Sequence, residues 1–279
     1  MMAARYSPAM IELLVDQLSD RDRAILYDLG KVRVLSGAQL TRLHFHDLAA
    51  TSRDRTRRGV LARLAGHDLV TPLDRVVGGV RSGSAGHVYA LGVAGQRAWP
   101  LLEAEADAAD VPARARRPWT PGESFLKHTL AISELYVQLV EAQRAGQLTL
   151  IRFAAESEAW MPDGAGGLVK PDASACVAFG DVEDSWFVEV EQSRKSRETL
   201  RQKFRRYVDF AHAGQLGPDG VTPRVLVTVP HERRLLVVRD ILARLPPPAE
   251  QLFTAALFDD ATTQVVRVLR EREEVAVND

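Results

Sequence analysis

Between Leu101 and Ser124 the sequence LLEAEADAADVPARARRPWTPGES carries Ala, Pro and charge but no apolar period. A segment without a repeating hydrophobic face cannot cross a core, because nothing on it offsets the entropy of ordering its backbone. It reads as a linker, helical in its first part. A chain of 279 residues divided in this way is expected to build two cores, with a first domain over 1–100, a linker over 101–122 and a second domain over 123–279.

The two sides of this linker differ in charge. Residues 1–118 carry 17 Lys/Arg against 13 Asp/Glu, whereas residues 119–279 carry 19 against 24. A mildly basic first half and an acidic second half point to two different tasks, and the acidity of the second argues against a general nucleic-acid binder there. The single cysteine, Cys176, excludes an intrachain disulfide framework and argues against a zinc-thiolate cluster. The opening MMAARYSPAMIELLVDQLSD lacks the apolar core of a signal peptide, and no run approaches the roughly 20 apolar residues of a membrane span. The expectation is a cytoplasmic protein with no membrane partner.

In the first half, DRDRAILYDLG has Ala24, Ile25 and Leu29 at helical spacing, with Gly30 as a stop. Ser36 is placed to cap a second helix through Leu40 and Leu43. A third helix over TSRDRTRRGVLARLAG buries Val60, Leu61 and Leu64. Two strand-like runs follow, LVTPLDRVV and HVYALG, separated by a Gly/Ser loop that carries Arg81. Three helices and a β-hairpin are the order of a winged helix-turn-helix. On the third helix Arg55 and Arg58 lie opposite Leu64, and Arg53 sits at the N-terminal tip. Such a helix suits the major groove of double-stranded DNA, where arginine reads guanine edges and phosphates, with Arg81 reaching the adjacent backbone or minor groove. The alternative is a solvated basic face on a protein-binding helical domain. An amphipathic start at residues 8–18 is available for a homodimer contact.

The second half opens on a long amphipathic helix, SFLKHTLAISELYVQLVEAQRAG, stopped at Gly146. A strand, a turn at PDGAGG, and the run KPDASACVAFGDVEDSWFVEVEQS follow. That run is a hairpin whose ends carry Asp172, Glu189 and Glu191. A helix with Leu200, Phe204, Tyr207 and Val208 facing inward comes next, then a strand and another helix, and the tail EREEVAVND is expected to fray. The order α-β-β-β-α-β, with Asp172 and Glu189 at strand ends, resembles the core of the PD-(D/E)xK restriction-endonuclease-like fold.

That resemblance implies a Mg²⁺ site, with Mn²⁺ as a substitute. Strands that end side by side let Asp172 and Glu189 converge on one hard cation. Glu134 on the first long helix is the candidate extra metal ligand. The sequence departs from the pattern at Glu191, which stands where the family has its catalytic lysine. Lys203, four residues before Tyr207, is the candidate replacement, with Lys195 and Lys170 as runners-up. Glu191 then becomes a candidate third carboxylate of the site.

Over roughly residues 19–230 the chain resembles the replication-relaxation family of actinobacterial plasmids and integrative elements. The motifs that carry the likeness are RRGVLARLAGHDLV, KHTLAISELYVQLV, KPDASACVAF, FVEVEQS and the helix with Lys203 and Tyr207. The resemblance implies a DNA-binding protein acting in replication or mobilisation of a mobile element, with relaxosome or replication proteins as partners. Three readings of the second domain stay open: a metal-dependent DNA endonuclease or nickase, a catalytically inactive accessory factor or transcriptional regulator that keeps the fold, and the small-ligand-binding domain of a winged-helix regulator.

Overall fold

The computed structural model describes residues 6–73, 87–106, 122–192 and 195–278. The protein is mixed α/β and divides into two compact units, Met1–Val137 and Gln138–Asp279. Of the linker expected at 101–122, residues 101–106 belong to a helix and residues 107–121 lie outside the described residues.

In the first unit the elements run α1 (Pro8–Asp16), α2 (Asp20–Val32), β1 (Val34–Ser36), α3 (Gly37–His44), α4 (Ala50–Gly66), β2 (Val70–Leu73), β3 (Val88–Leu91), α5 (Val93–Ala106) and the first part of α6 (Glu123–Arg144). Local signals set the helix starts. Ser19 and Asp22 form a reciprocal capping box at α2, and Ser36 and Gln39 form another at α3. Gly30 does not stop α2. The helix runs through it to Val32, and a Cβ added there would collide with the Trp99 ring. Gly30 is thus a site of close packing, with the Trp99 indole N–H donating to the Tyr27 carbonyl at 3.2 Å.

The strands of this unit form an antiparallel sheet in the order β1-β3-β2. Ile25, Leu26, Leu29, Leu35, Leu40, Leu43, Phe45, Leu61 and Leu64 are fully buried or nearly so. The α6 segment belongs to the same packing. Ser133 donates to the Val34 carbonyl at 2.7 Å and Tyr136 donates to Asp28 at 2.6 Å. The loop that joins β2 to β3, with Arg81, lies outside the described residues.

The second unit follows as β4 (Thr149–Ala155), the short hairpin β5 (Met161–Pro162) and β6 (Leu168–Val169), β7 (Ala173–Phe179), β8 (Val182–Val190), α7 (Arg197–His212), β9 (Arg224–Val229), α8 (Glu232–Leu242), α9 (Ala249–Leu252), β10 (Phe253–Leu257) and α10 (Ala261–Asn278). Gly146, at φ +68°, ends α6 as expected. The tail predicted to fray instead continues α10 to Asn278. Val265 and Leu269, four apart on one face, are buried and anchor the helix.

Five strands form a mixed sheet in the order β10-β9-β8-β7-β4. The β4/β7 and β7/β8 pairs are antiparallel, and the β8/β9 and β9/β10 pairs are parallel. The parallel pairs follow from the helical crossovers α7 and α8, since a chain needs such a connection to return in the same direction. Phe187, Val225, Val227 and Val229 point to one face and pack against Leu200, Phe204, Tyr207 and Val208 of α7 and Leu235 and Val238 of α8. Glu189, two residues beyond Phe187, shares that face by the period of a strand.

A buried carboxylate cluster as the candidate functional site

The β7/β8 register pairs Ala173 with Val188. Asp172, the residue before β7, lies beside the end of β8 that carries Glu189, and like charges brought together there destabilise a sheet. The backbone holds Asp172 in place, because the Val190 N–H donates to its Oδ2 at 2.7 Å and its own N–H donates to the Val188 carbonyl at 2.9 Å. Glu189 is fixed by burial, with 2% of its surface exposed.

Two donors from α7 meet this pair. The Lys203 ammonium is hydrogen-bonded to Glu189 Oε2 and lies 4.0 Å from Asp172 Oδ1. The Tyr207 hydroxyl donates to Glu189 Oε1. Residues four apart lie on one helix face, so Lys203 and Tyr207 reach both oxygens of a single carboxylate.

Burial, followed by the charge of Asp172, pushes the Glu189 pKa up to about 8, against the opposing pull of Lys203 and the Tyr207 hydrogen bond. For Lys203, burial alone lowers the pKa, but the charges of Glu189 and Asp172 outweigh it and leave the pKa raised. The Tyr207 pKa is raised well above its ordinary value, first by burial and then by Glu189. The ammonium thus stays protonated beside Glu189, whose raised pKa favours its protonated form.

Glu191 joins Asp172 and Glu189 in raising the pKa of Lys203, as the smallest of the three charges on it. Its buried carboxylate lies 3.4 Å from Lys195 Nζ and 3.4 Å from Arg234 Nη2. Lys170 stands over the Trp160 ring, 4.7 Å from its centroid. Glu134 is engaged within the first unit, where Gln39 donates to one of its oxygens at 3.0 Å and Arg42 bonds the other at 2.5 Å. Among the described residues no group of three or more His, Cys, Asp or Glu side chains is arranged to hold a metal ion. Within the second unit, Asp172 and Glu189 are the two acids that meet at Lys203. Two carboxylates fit Mg²⁺, which keeps several of its waters, but Lys203 already serves both of them.

The arginines of α4 fall into two groups. Arg57 is buried and donates to the Gly37 carbonyl and Thr41 Oγ1, each at 2.8 Å, which ties α4 to α3. Arg53 donates to the Leu48 carbonyl at 2.7 Å and so helps fix the α3–α4 connection. Arg55 and Arg58 are exposed. On α7 most of the basic side chains have acidic neighbours: Arg197 pairs with Asp240, Arg201 with Glu198 and Arg205 with Asp209. The local excess of cations there is largely balanced.

Sequence reasoning placed Tyr207 among the inward-facing apolar residues and did not single out Arg234. The Lys203-to-Tyr207 spacing carried the first signal. Nothing in the sequence linked Arg234 to Glu191, 43 residues earlier. Among the described residues no helix is long and apolar enough to cross a membrane. No curated protein and no solved structure matches the chain. A family model does, the replication-relaxation model, over residues 26–225.

Proposed function

The chain belongs to the replication-relaxation family, which points to a role in replication or relaxation of plasmid-like DNA, and from that premise we propose a DNA-binding protein whose second unit acts on the phosphodiester backbone. In this reading the first unit is a winged helix. Its reading helix is α4, β2 and β3 flank the wing, and Arg55 and Arg58 are the exposed duplex contacts. The second unit is a PD-(D/E)xK-like domain, supported by its mixed sheet, the two crossovers and the position of the acids at neighbouring strand ends.

The observation that carries the reading is the meeting of Asp172, Glu189 and Lys203 at one end of that sheet. These are a pair of carboxylates that can hold a hard cation and an ammonium that can stabilise negative charge. A bound Mg²⁺ would supply charge neutralisation at phosphate and a more acidic water. The protein's own part is to orient Glu189 through Tyr207, to hold Asp172 through the Val190 N–H, and to keep a protonated lysine beside both.

Incubation of the intact protein with supercoiled plasmid and Mg²⁺ or Mn²⁺ tests this. Nicking or linearisation that disappears in Asp172→Ala supports it, and an unchanged plasmid with either cation sinks the nuclease reading. One observation favours the second reading, a non-catalytic accessory factor or regulator. Lys203 neutralises the carboxylate pair by itself, so the cluster is complete as a structural ion network.

A further inference from the structure

The chain that leads into the carboxylate cluster carries an exposed aromatic ring. Ala155 at the end of β4 pairs with Ala173, and the next N–H, that of Glu156, donates to the Asp172 carbonyl at 2.7 Å. A single 3-10 turn, Glu156–Glu158, then brings the chain to Trp160. Trp160 and Lys170 flank the β5/β6 pairing of Met161 with Val169, and Lys170 stands two residues before Asp172. Both residues therefore lie at the end of the sheet that holds Asp172, Glu189 and Lys203.

A tryptophan has a large apolar surface to bury. Trp160 is instead 39% exposed, even with the Lys170 ammonium 4.7 Å from its ring centroid. Leu168, two residues before Lys170, is also exposed. A further cation stands nearby on α7. Arg206 follows Lys203 by three residues, so the two share a helix face. It is exposed and makes no ion pair among the described residues. Its charge reaches the hairpin: the Asp163 carboxyl is held below its ordinary range first by the Ala165 and Gly167 N–H groups, at 2.9 and 2.8 Å, and least by Arg206.

An exposed indole beside cations suits a nucleotide, whose base stacks on the ring while its phosphate meets an ammonium or guanidinium. Only an unpaired base can offer its face, because the bases of a duplex are already stacked on one another. Glu156, Glu158 and Asp163 are close by in the chain, so the patch is not strongly cationic and stacking is the larger part of the contact.

We propose that Trp160, with Lys170 and Arg206 beside it, is a binding site for an unpaired nucleotide of single-stranded DNA, next to the Asp172–Glu189–Lys203 cluster. The inference rests on the reading that the second unit engages nucleic acid, but not on cleavage. It names the form of DNA that this unit receives, a melted strand rather than an intact duplex.

The test is equilibrium binding of a fluorescent thymidine oligonucleotide, in EDTA, to the full chain carrying Arg55→Ala and Arg58→Ala, so that the contacts of the first unit are reduced. In that background Trp160→Ala should weaken binding roughly fivefold or more and leave the dependence of log affinity on log salt unchanged. Trp160→Phe keeps an aromatic face and should recover most of the loss. Lys170→Gln and Arg206→Gln should each weaken binding and flatten the salt dependence by about 0.7 of a unit. A duplex of the same length should bind equally to the parent and to Trp160→Ala. All three side chains are exposed, so their replacement leaves the core untouched. The proposal is overturned if the parent does not bind the oligonucleotide, if Trp160→Ala binds it as the parent does, or if Trp160→Ala loses affinity equally for the duplex. The plasmid assay separates the two ideas. Cleavage by a parent whose oligonucleotide binding does not depend on Trp160 leaves the nuclease reading and removes the single-strand site. Dependence on Trp160 without cleavage does the reverse.

Discussion

The basic helix of the first unit and the charged cluster of the second use charge in opposite ways. On α4, Arg55 and Arg58 remain exposed, and their charges stay available to a partner. At the end of β7 and β8, charges of both signs are buried against one another, and burial shifts their proton affinities. An exposed charge costs the fold little and contributes little to it. A buried charge must be answered locally or the fold fails. The same residue types are therefore open to solvent in one unit and committed to the fold in the other.

The largest effect expected from breaking this contrast is at Lys203. Replacing it with Met leaves Asp172 and Glu189 facing each other without a cation, and should cost about 3–5 kcal/mol in urea denaturation. If the loss were no larger than at Arg55, the cluster would not be the closed network described here.

Next comes the pH dependence of Glu189. Its pKa rises from 4.5 unfolded to about 8 folded, so the folded state binds the proton more tightly. Its contribution to stability is fully present below pH 4.5 and is lost as pH rises toward 8, with a slope that approaches about 1.4 kcal/mol per pH unit at most. Glu189→Gln cannot titrate and should show a flatter profile across that window. Parallel pH profiles for the two proteins would contradict the burial of an ionisable carboxyl at this position. Lys203, whose pKa is raised, contributes stability that is lost only as pH climbs above its ordinary value of 10.5.

Arg57→Ala tests the contrast inside α4 itself. It removes a buried guanidinium that holds the Gly37 carbonyl and Thr41, and should cost about 2 kcal/mol by thermal or urea melting. Tyr207→Phe should cost about 1–2 kcal/mol, because one oxygen of Glu189 loses its donor while Lys203 keeps the other. The smallest effect on stability belongs to Arg55→Ala with Arg58→Ala, expected within about 0.5 kcal/mol of the parent. The same pair should flatten the salt dependence of duplex binding by about one unit per lost phosphate contact. A large loss of stability with unchanged binding would reverse the assignment of α4.

Much of the fold was legible because local signals repeat. Two apolar runs separated by a turn gave the β7–β8 hairpin, and Ser36 gave the start of α3. Gly30 misled because its role is to admit the Trp99 ring, a contact from 69 residues away that no local rule contains. The tail misled because it continues a helix held on the unit by Val265 and Leu269, which lie just before it. The acids of the candidate site could be read from strand ends. Their partners could be read only as far as Lys203, since it lies on the next helix at a spacing that the apolar stripe reveals.

The sequence by itself determined the two apolar cores, the strand ends that carry Asp172, Glu189 and Glu191, and the exposed face of Arg55 and Arg58. Periodicity fixes which side of an element is buried, and that side is decided within a few residues. The tertiary structure alone decided which cation answers which acid: Lys203 for Asp172 and Glu189, Arg234 and Lys195 for Glu191, and Arg42 for Glu134. The pairings of the second unit depend on the register between strands and on how the following helices lie across the sheet, and that of Arg42 with Glu134 on how α3 meets α6. Those quantities are set by packing among residues far apart in the chain, and a side chain with several possible partners finds its own only once the backbone has placed them all.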